Sequence, residues 1–229
     1  MRMNNAWAVV ILMVVMSGLY ACGGGGGGSD PTPTNNPSWV SVFSDDFNRA
    51  DNMLNDGVKY KVETVSANKN LFITSMKITG GSSGDGNTSF AQLIQTFNGY
   101  SKVRIRAIVN FVASDTHVGF YITGATTYFN GIFEPLALTI NKGNFSSAPN
   151  TLSIKNANLA TTDNYMIELI STAGSGIQLT VYDVTGSTVL YTTSINDPGV
   201  DHTNIVISMG DSNVTAPYAT LDNFTIEKQ

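Results

Sequence analysis

The chain has 229 residues, with 17 acidic against 12 basic side chains, a formal charge of −5, two histidines and one cysteine. That modest acidity, without a cluster of Lys and Arg, speaks against a nucleic-acid partner, which must be met by grouped cations. A lone cysteine cannot form an intrachain disulfide, so the fold rests on its hydrophobic core.

In chain order, the first element is a leader. Met1 to Asn5 carries Arg2, and Ala6 to Gly18 is apolar but shorter than the roughly 20 residues that span a bilayer. These read as the n-region and h-region of a secretory signal, with a cleavage site after them. The closing residues Leu19-Tyr20-Ala21-Cys22 resemble the bacterial lipobox. The resemblance implies a signal peptide over 1–21, cleavage before Cys22, and a diacylglycerol thioether on Cys22 that ties the protein to a membrane. The alternatives are an uncleaved anchor and a soluble secreted chain. An acidic protein gains nothing electrostatically at anionic lipid, so the acyl chains must hold it, at about 0.8 kcal/mol per buried methylene. Gly23 follows the cysteine where aspartate would imply inner-membrane retention in the families this resembles, so the outer membrane is expected. Residues 22–38, rich in Gly and then in Pro, form a flexible tether with no large apolar side chain before Trp39.

Residues 39–229 are expected to fold as one all-β domain. Short runs rich in Val, Ile, Thr, Phe and Tyr alternate with clusters of Gly, Asn, Asp or Ser. The runs predict strands at 39–47, 57–63, 70–76, 89–96, 101–112, 116–122, 128–133, 136–140, 151–156, 165–171, 176–184, 188–194, 204–209 and 219–227, enough for a two-sheet antiparallel sandwich. In the clearest run, Val103, Ile105, Ala107, Val109 and Phe111 alternate with Lys102, Arg104, Arg106, Ile108 and Asn110, which puts the first five on a core face. Tyr165, Ile167 and Leu169 repeat the pattern, as do Ile177, Leu179 and Val181. Asp183-Val-Thr-Gly186 supplies a hairpin turn.

At the ends of this domain, Phe43-Ser-Asp-Asp-Phe47-Asn-Arg-Ala-Asp51 and Ala219-Thr-Leu-Asp-Asn-Phe-Thr-Ile226 resemble the opening and closing strands of bacterial concanavalin A-like lectin/glucanase domains. Leu71-Phe-Ile-Thr, Ser101 to Val112 and His117-Val-Gly-Phe-Tyr-Ile resemble strands between them. The resemblance implies a jelly roll whose first and last strands are adjacent. It further implies a structural calcium between Asp46, the neighbourhood of Asn70, and Asp222, since calcium takes six to eight hard oxygens. The other reading of Asp46 and Asp222 is that each hydrogen-bonds the turn beside it. Many relatives carry a tryptophan shortly after the opening strand, where Val58 and Tyr60 stand here.

Catalytic signatures are absent from the sequence. Retaining glycosidases of this fold use a Glu-x-Asp-x-x-Glu strand to hold carboxylates about 5 Å apart, whereas Glu63, Glu134, Glu168 and Glu227 each stand alone. There is no Gly-x-Ser-x-Gly elbow, and His117 and His202 are isolated from each other. Gly80 to Asn87 lacks the Gly-Lys-Ser/Thr ending of a phosphate cradle. An enzyme is therefore not expected, and a glycoside hydrolase of the same fold is the third choice. The first is carbohydrate binding, since sugars offer CH faces to aromatic rings and hydroxyls to amides. Tyr128, Phe129 and Asn130, with Tyr218 in the Thr-Ala-Pro-Tyr loop, are the candidate ligand contacts. Lys102, Arg104 and Arg106 could draw an acidic polysaccharide or simply pair with neighbours such as Glu168. The second choice is a structural or adhesive module that docks a surface protein.

Overall fold

In a computed structural model, residues 38–229 are described, apart from 51, 55–56, 62–70, 76, 81–87, 145–147 and 212–218. Residues 1–37, which hold the expected signal peptide, Cys22 and all but the last residue of the expected tether, lie outside the described residues, as do Asn70 and Tyr218. The compact unit here is Pro37–Gln229, and its described residues form strands and turns with no helix.

Among the described residues, sixteen strands make two antiparallel sheets. They are β1 (Val40–Asp45), β2 (Asn52–Met53), β3 (Tyr60–Lys61), β4 (Leu71–Thr74), β5 (Lys77–Gly80), β6 (Thr88–Leu93), β7 (Lys102–Phe111) and β8 (Thr116–Thr123). There follow β9 (Thr127–Phe133), β10 (Ala137–Asn144), β11 (Asn150–Asn156), β12 (Asn164–Thr172), β13 (Gly176–Asp183), β14 (Val189–Asn196), β15 (Asn204–Asp211) and β16 (Ala219–Lys228). One sheet runs β14-β13-β12-β7-β16-β5-β4-β2, with β1 also paired to β16; the other runs β11-β10-β9-β8-β15-β6-β3. The two-sheet sandwich expected from the sequence is the fold, with the first strand paired to the last. Two short strands, β2 and β5, were not in the sequence pattern: β2 is two residues long and pairs with β4, and β5 is the second arm of a tight hairpin with β4 that also pairs with β16.

The core forms where alternation turns apolar residues inward. Val103, Ile105, Ala107, Val109 and Phe111 are all buried along β7, as are Ile167 and Leu169 of β12 and Leu179 and Val181 of β13. Opposite them, Val118, Phe120 and Ile122 of β8 and Ile205, Ile207 and Met209 of β15 close the second layer. Phe224 joins the layers, with its ring 5.8 Å from those of Phe120 and Phe43. The turn at Asp183 forms as expected: Asp183 Oδ1 accepts the amides of Ser187 and Thr188 at 3.0 and 3.2 Å, and Gly186 sits at φ 75°.

The outer face of β7 carries the cationic stripe. Arg104 donates to Glu227 at 2.5 Å and lies over the Trp39 ring at 4.4 Å. Arg106 donates to the buried Glu168 at 2.6 Å, and Tyr182 Oη donates to the same carboxylate at 2.8 Å. The pairing with neighbours is thus the one realised, and these two arginines are already matched by carboxylates.

Gly131 of β9 sets how closely the sheets meet. A Cβ there would collide with Leu179 Cδ2 and lie 2.8 Å from Leu169 Cδ1 of the facing sheet. Gly131→Ala is expected to lower the unfolding free energy in urea by about 1–3 kcal/mol through overpacking. In the double variant with Leu179→Ala the loss should be smaller than the sum of the two single losses, because the added methyl fills the space vacated.

Candidate functional site

The same packing decides which side chains of the seven-stranded sheet face away from the core. Phe129, Gly131 and Phe133 point inward on β9, so Tyr128, Asn130 and Ile132 point outward. Phe129 is 1% exposed, and its ring carries the Lys142 ammonium at 5.1 Å. As a ligand contact, Phe129 is therefore corrected to a core residue: its neighbours in the sequence gave no phase, whereas Gly131 against Leu179 does. Tyr128 and Asn130 stay together on the outward face. Asp197 completes the setting of Lys142, accepting from it at 2.7 Å.

Strand register extends that pair into a row. Asn130 stands directly opposite Tyr121 of β8 on one side and Asn141 of β10 on the other, while Tyr121 faces Val206 of β15, and Val206 faces Gln92 of β6. In the next row Phe90, Ser208, Gly119 and Ile132 follow one another across the same strands. Small residues at 208 and 119 leave space for rings. Phe90 meets Tyr121 edge-on at 5.8 Å, and Tyr121 meets Tyr128 at 5.5 Å, tilted by 43°. Tyr128 lies over Gly143 of β10, where any Cβ would run into its ring. Three aromatic rings thus line up across β6, β8 and β9, bordered by the amides of Gln92, Asn130 and Asn141.

Although they sit on the outward face, the polar members are scarcely exposed: Asn130 3%, Gln92 7%, Asn141 7% and Ser208 1%. The Asn130 amide hydrogen-bonds the Tyr121 hydroxyl. Burial, opposed by that bond and helped by Tyr128, raises the Tyr121 pKa, so the hydroxyl stays protonated. The Asn130 Oδ1 atom is buried with no hydrogen-bond partner, a deficit that native proteins rarely leave without a reason. Among the described residues, the outward positions of β6, β15, β8, β9 and β10 carry no Asp, Glu, Lys or Arg. Sequence reasoning missed Phe90, Gln92, Tyr121 and Asn141. The signal for Tyr121 was present in the inward alternation of Val118, Phe120 and Ile122; Phe90 and Asn141 needed the register between strands.

The two aspartates implied for calcium each accept a backbone amide. Asp46 Oδ1 accepts the Asn48 amide at 3.2 Å, and Asp222 Oδ1 accepts the Asn223 amide at 2.7 Å. Beside them, buried Asp45 accepts Arg49 at 2.8 and 3.0 Å and has the Lys59 ammonium at 3.5 Å. Among the described residues no group of three or more His, Cys, Asp or Glu gathers to hold a metal. The neighbourhood of Asn70, the third arm of the implied calcium site, lies outside the described residues.

No family model and no curated protein sequence matches the chain. Solved structures do share its fold, that of concanavalin A-like jelly-roll domains. The chain is similar to β-agarase B from Zobellia galactanivorans at 9% identity and a TM-score of 0.58, over 83% of this chain and 94% of that one. It is similar to the carbohydrate-binding module CBM66 from Bacillus subtilis at 11% identity and a TM-score of 0.55, over 77% and 98%. The exoplasmic/lumenal domain of VIP36 in its Ca2+/Man2-bound form matches at 8% identity and a TM-score of 0.53, over 69% and 78%.

His202 clamps one end of the sandwich. Its Nδ1 donates to the Tyr100 carbonyl at 3.1 Å, which leaves Nε2 to accept from Ser171 Oγ at 2.8 Å in a buried setting. Thr203 beside it donates its amide to Thr123 of the opposite sheet at 2.8 Å. The role is structural, since both Ser171 and His202 are inaccessible. Burial chiefly, against the Tyr100 carbonyl and the Asp201 carboxylate, lowers the His202 pKa below its ordinary 6.5. The unfolded chain then binds this proton at higher pH than the folded one. The contribution is complete above the unfolded value and declines as pH falls through it toward the folded value. Urea midpoints should therefore drop between about pH 7 and 5, where carboxylates are still ionised. His202→Gln should flatten that part of the profile.

Proposed function

We propose that the protein is a lipid-anchored, non-catalytic carbohydrate-binding module of the bacterial cell envelope, with the outer membrane as its address. The ligand is held on the outward face of the seven-stranded sheet. The observation that carries this reading is the line of rings Phe90, Tyr121 and Tyr128 bordered by Gln92, Asn130 and Asn141. Pyranose rings present an apolar face for aromatic contact and a rim of hydroxyls for amides, so this pairing of side chains matches sugar chemistry closely. The solved structures of the same fold include a carbohydrate-binding module and a mannose-bound lumenal domain, which supports a sugar ligand here.

The absence of catalysis is supported by the composition of that face. Glycoside hydrolysis needs a pair of carboxylates flanking the scissile bond, and among the described residues the outward positions of the five central strands supply none. Glu134, with its pKa raised by burial, stands just past the end of β9, without an assigned carboxylate partner.

Membrane attachment rests on Leu19-Tyr20-Ala21-Cys22 and the apolar run before it. A second reading, docking of a surface protein, draws on a different feature. Strands β11 and β14 are the terminal strands of their sheets, and beside one another they expose Leu152, Ile154, Val189 and Leu190, with Ile154 62% accessible. Open edges with apolar side chains suit strand addition by a partner.

Two experiments test the proposal. In a glycan array probed with the full-length chain, Tyr121→Ala and Tyr128→Ala should each weaken the strongest hits by on the order of tenfold, equivalent to about 1.4 kcal/mol; signals unchanged by both would place any ligand elsewhere. Cys22→Ser should abolish labelling by a palmitate analogue and leave the leader uncut, and continued labelling would disprove the anchor.

A further inference from the structure

Asn130 holds the most informative atom on the outward face. Its Oδ1 is buried, lacks a donor, and belongs to a side chain 3% exposed that is already tied through its amide to Tyr121. A buried carbonyl oxygen left unpaired costs about 1–3 kcal/mol. That cost is removed when a hydroxyl or N–H is brought against it. Tyr128 lies two residues away on the same strand, with its ring resting on Gly143; Oδ1 has no open surface of its own, so an incoming sugar that contacts Tyr121 and Tyr128 reaches it when a covering side chain shifts.

Charge narrows the ligand further. An anionic sugar would find no cation among the described outward side chains of β6, β15, β8, β9 and β10. It would instead meet the negative end of the Asn130 dipole. Lys61 stands opposite Gln92 at the β3 margin, and Lys142 is engaged by Asp197 from the other phase of β10. Along the five central strands, away from Lys61, a uronate or sulfate would lose water without gaining a partner. The row from Gln92 to Asn141 crosses five strands, about 19 Å at the usual spacing, so it spans several sugars rather than one.

Resting on the carbohydrate reading above, we infer that the site takes an uncharged oligosaccharide and that Asn130 is its specificity-determining residue, accepting a sugar hydroxyl at Oδ1.

The test uses the full-length chain and immobilised oligosaccharides of two kinds, neutral and uronate- or sulfate-bearing. Neutral chains should dominate the hits. Asn130→Leu should weaken them by tenfold or more in a variant that still melts cooperatively; the substitution deletes the unpaired acceptor together with the amide bonded to Tyr121, so a folded variant that keeps wild-type binding overturns the inference. Singly deoxygenated forms of the best neutral hit supply a measurement that needs no variant: one missing hydroxyl should cost wild type about tenfold and cost Asn130→Leu nothing more. Preference for charged glycans, or no deoxy position coupled to Asn130, overturns the inference while leaving carbohydrate binding intact. No hit at all, with wild type folded, removes both.

Discussion

Close approach of two sheets at Gly131 is the constraint from which the site follows. With no side chain at that position, Leu169 and Leu179 of the facing layer press against the β9 backbone, and this fixes which residues of β9 belong to the core. Strand geometry then does the rest, since neighbours alternate in direction. Phe129 and Phe133 must turn inward, and Tyr128 and Asn130 must turn out. Register carries the phase sideways through Tyr121, Val206 and Gln92 on one flank and Asn141 on the other. A glycine in the interior thereby determines the chemistry of the opposite surface.

Much of the fold was legible because its strands are strongly alternating. Val103 to Phe111 and Ile177 to Val181 announce their buried faces without ambiguity, and both are core. The turn at Asp183 was equally plain. The site was only half legible. Tyr128 and Asn130 could be picked out as an aromatic beside an amide, yet Phe129 between them was just as eligible until packing fixed the phase. Phe90, Tyr121 and Asn141 lie on three other strands, and no local pattern links residues so distant along the chain. Short pieces such as Asn52–Met53 were invisible for a related reason: they are strands only because β4 lies beside them.

Electrostatics separates the two faces of the molecule. On the outside of the nine-stranded sheet, charge is plentiful and matched, with Arg104 to Glu227 and Arg106 to Glu168. On the outside of the seven-stranded sheet, the central strands carry rings, amides, hydroxyls and glycines, with Val206, Ile132 and His117, among the described residues. The first arrangement holds strands together. The second leaves polar capacity unused, most visibly at Asn130 Oδ1, and so has something left to give to a partner.

Placement of the last strand has a kinetic consequence. β16 lies inside its sheet, with β7 on one side and β1 and β5 on the other, so residues near 40, 105 and 226 become neighbours only after nearly the whole chain is available. Such distant pairings make for slow folding. Until β16 is in place, β1 and β7 lack the strand that joins them and their apolar faces stay uncovered, the kind of exposed edge that makes partly folded states prone to associate.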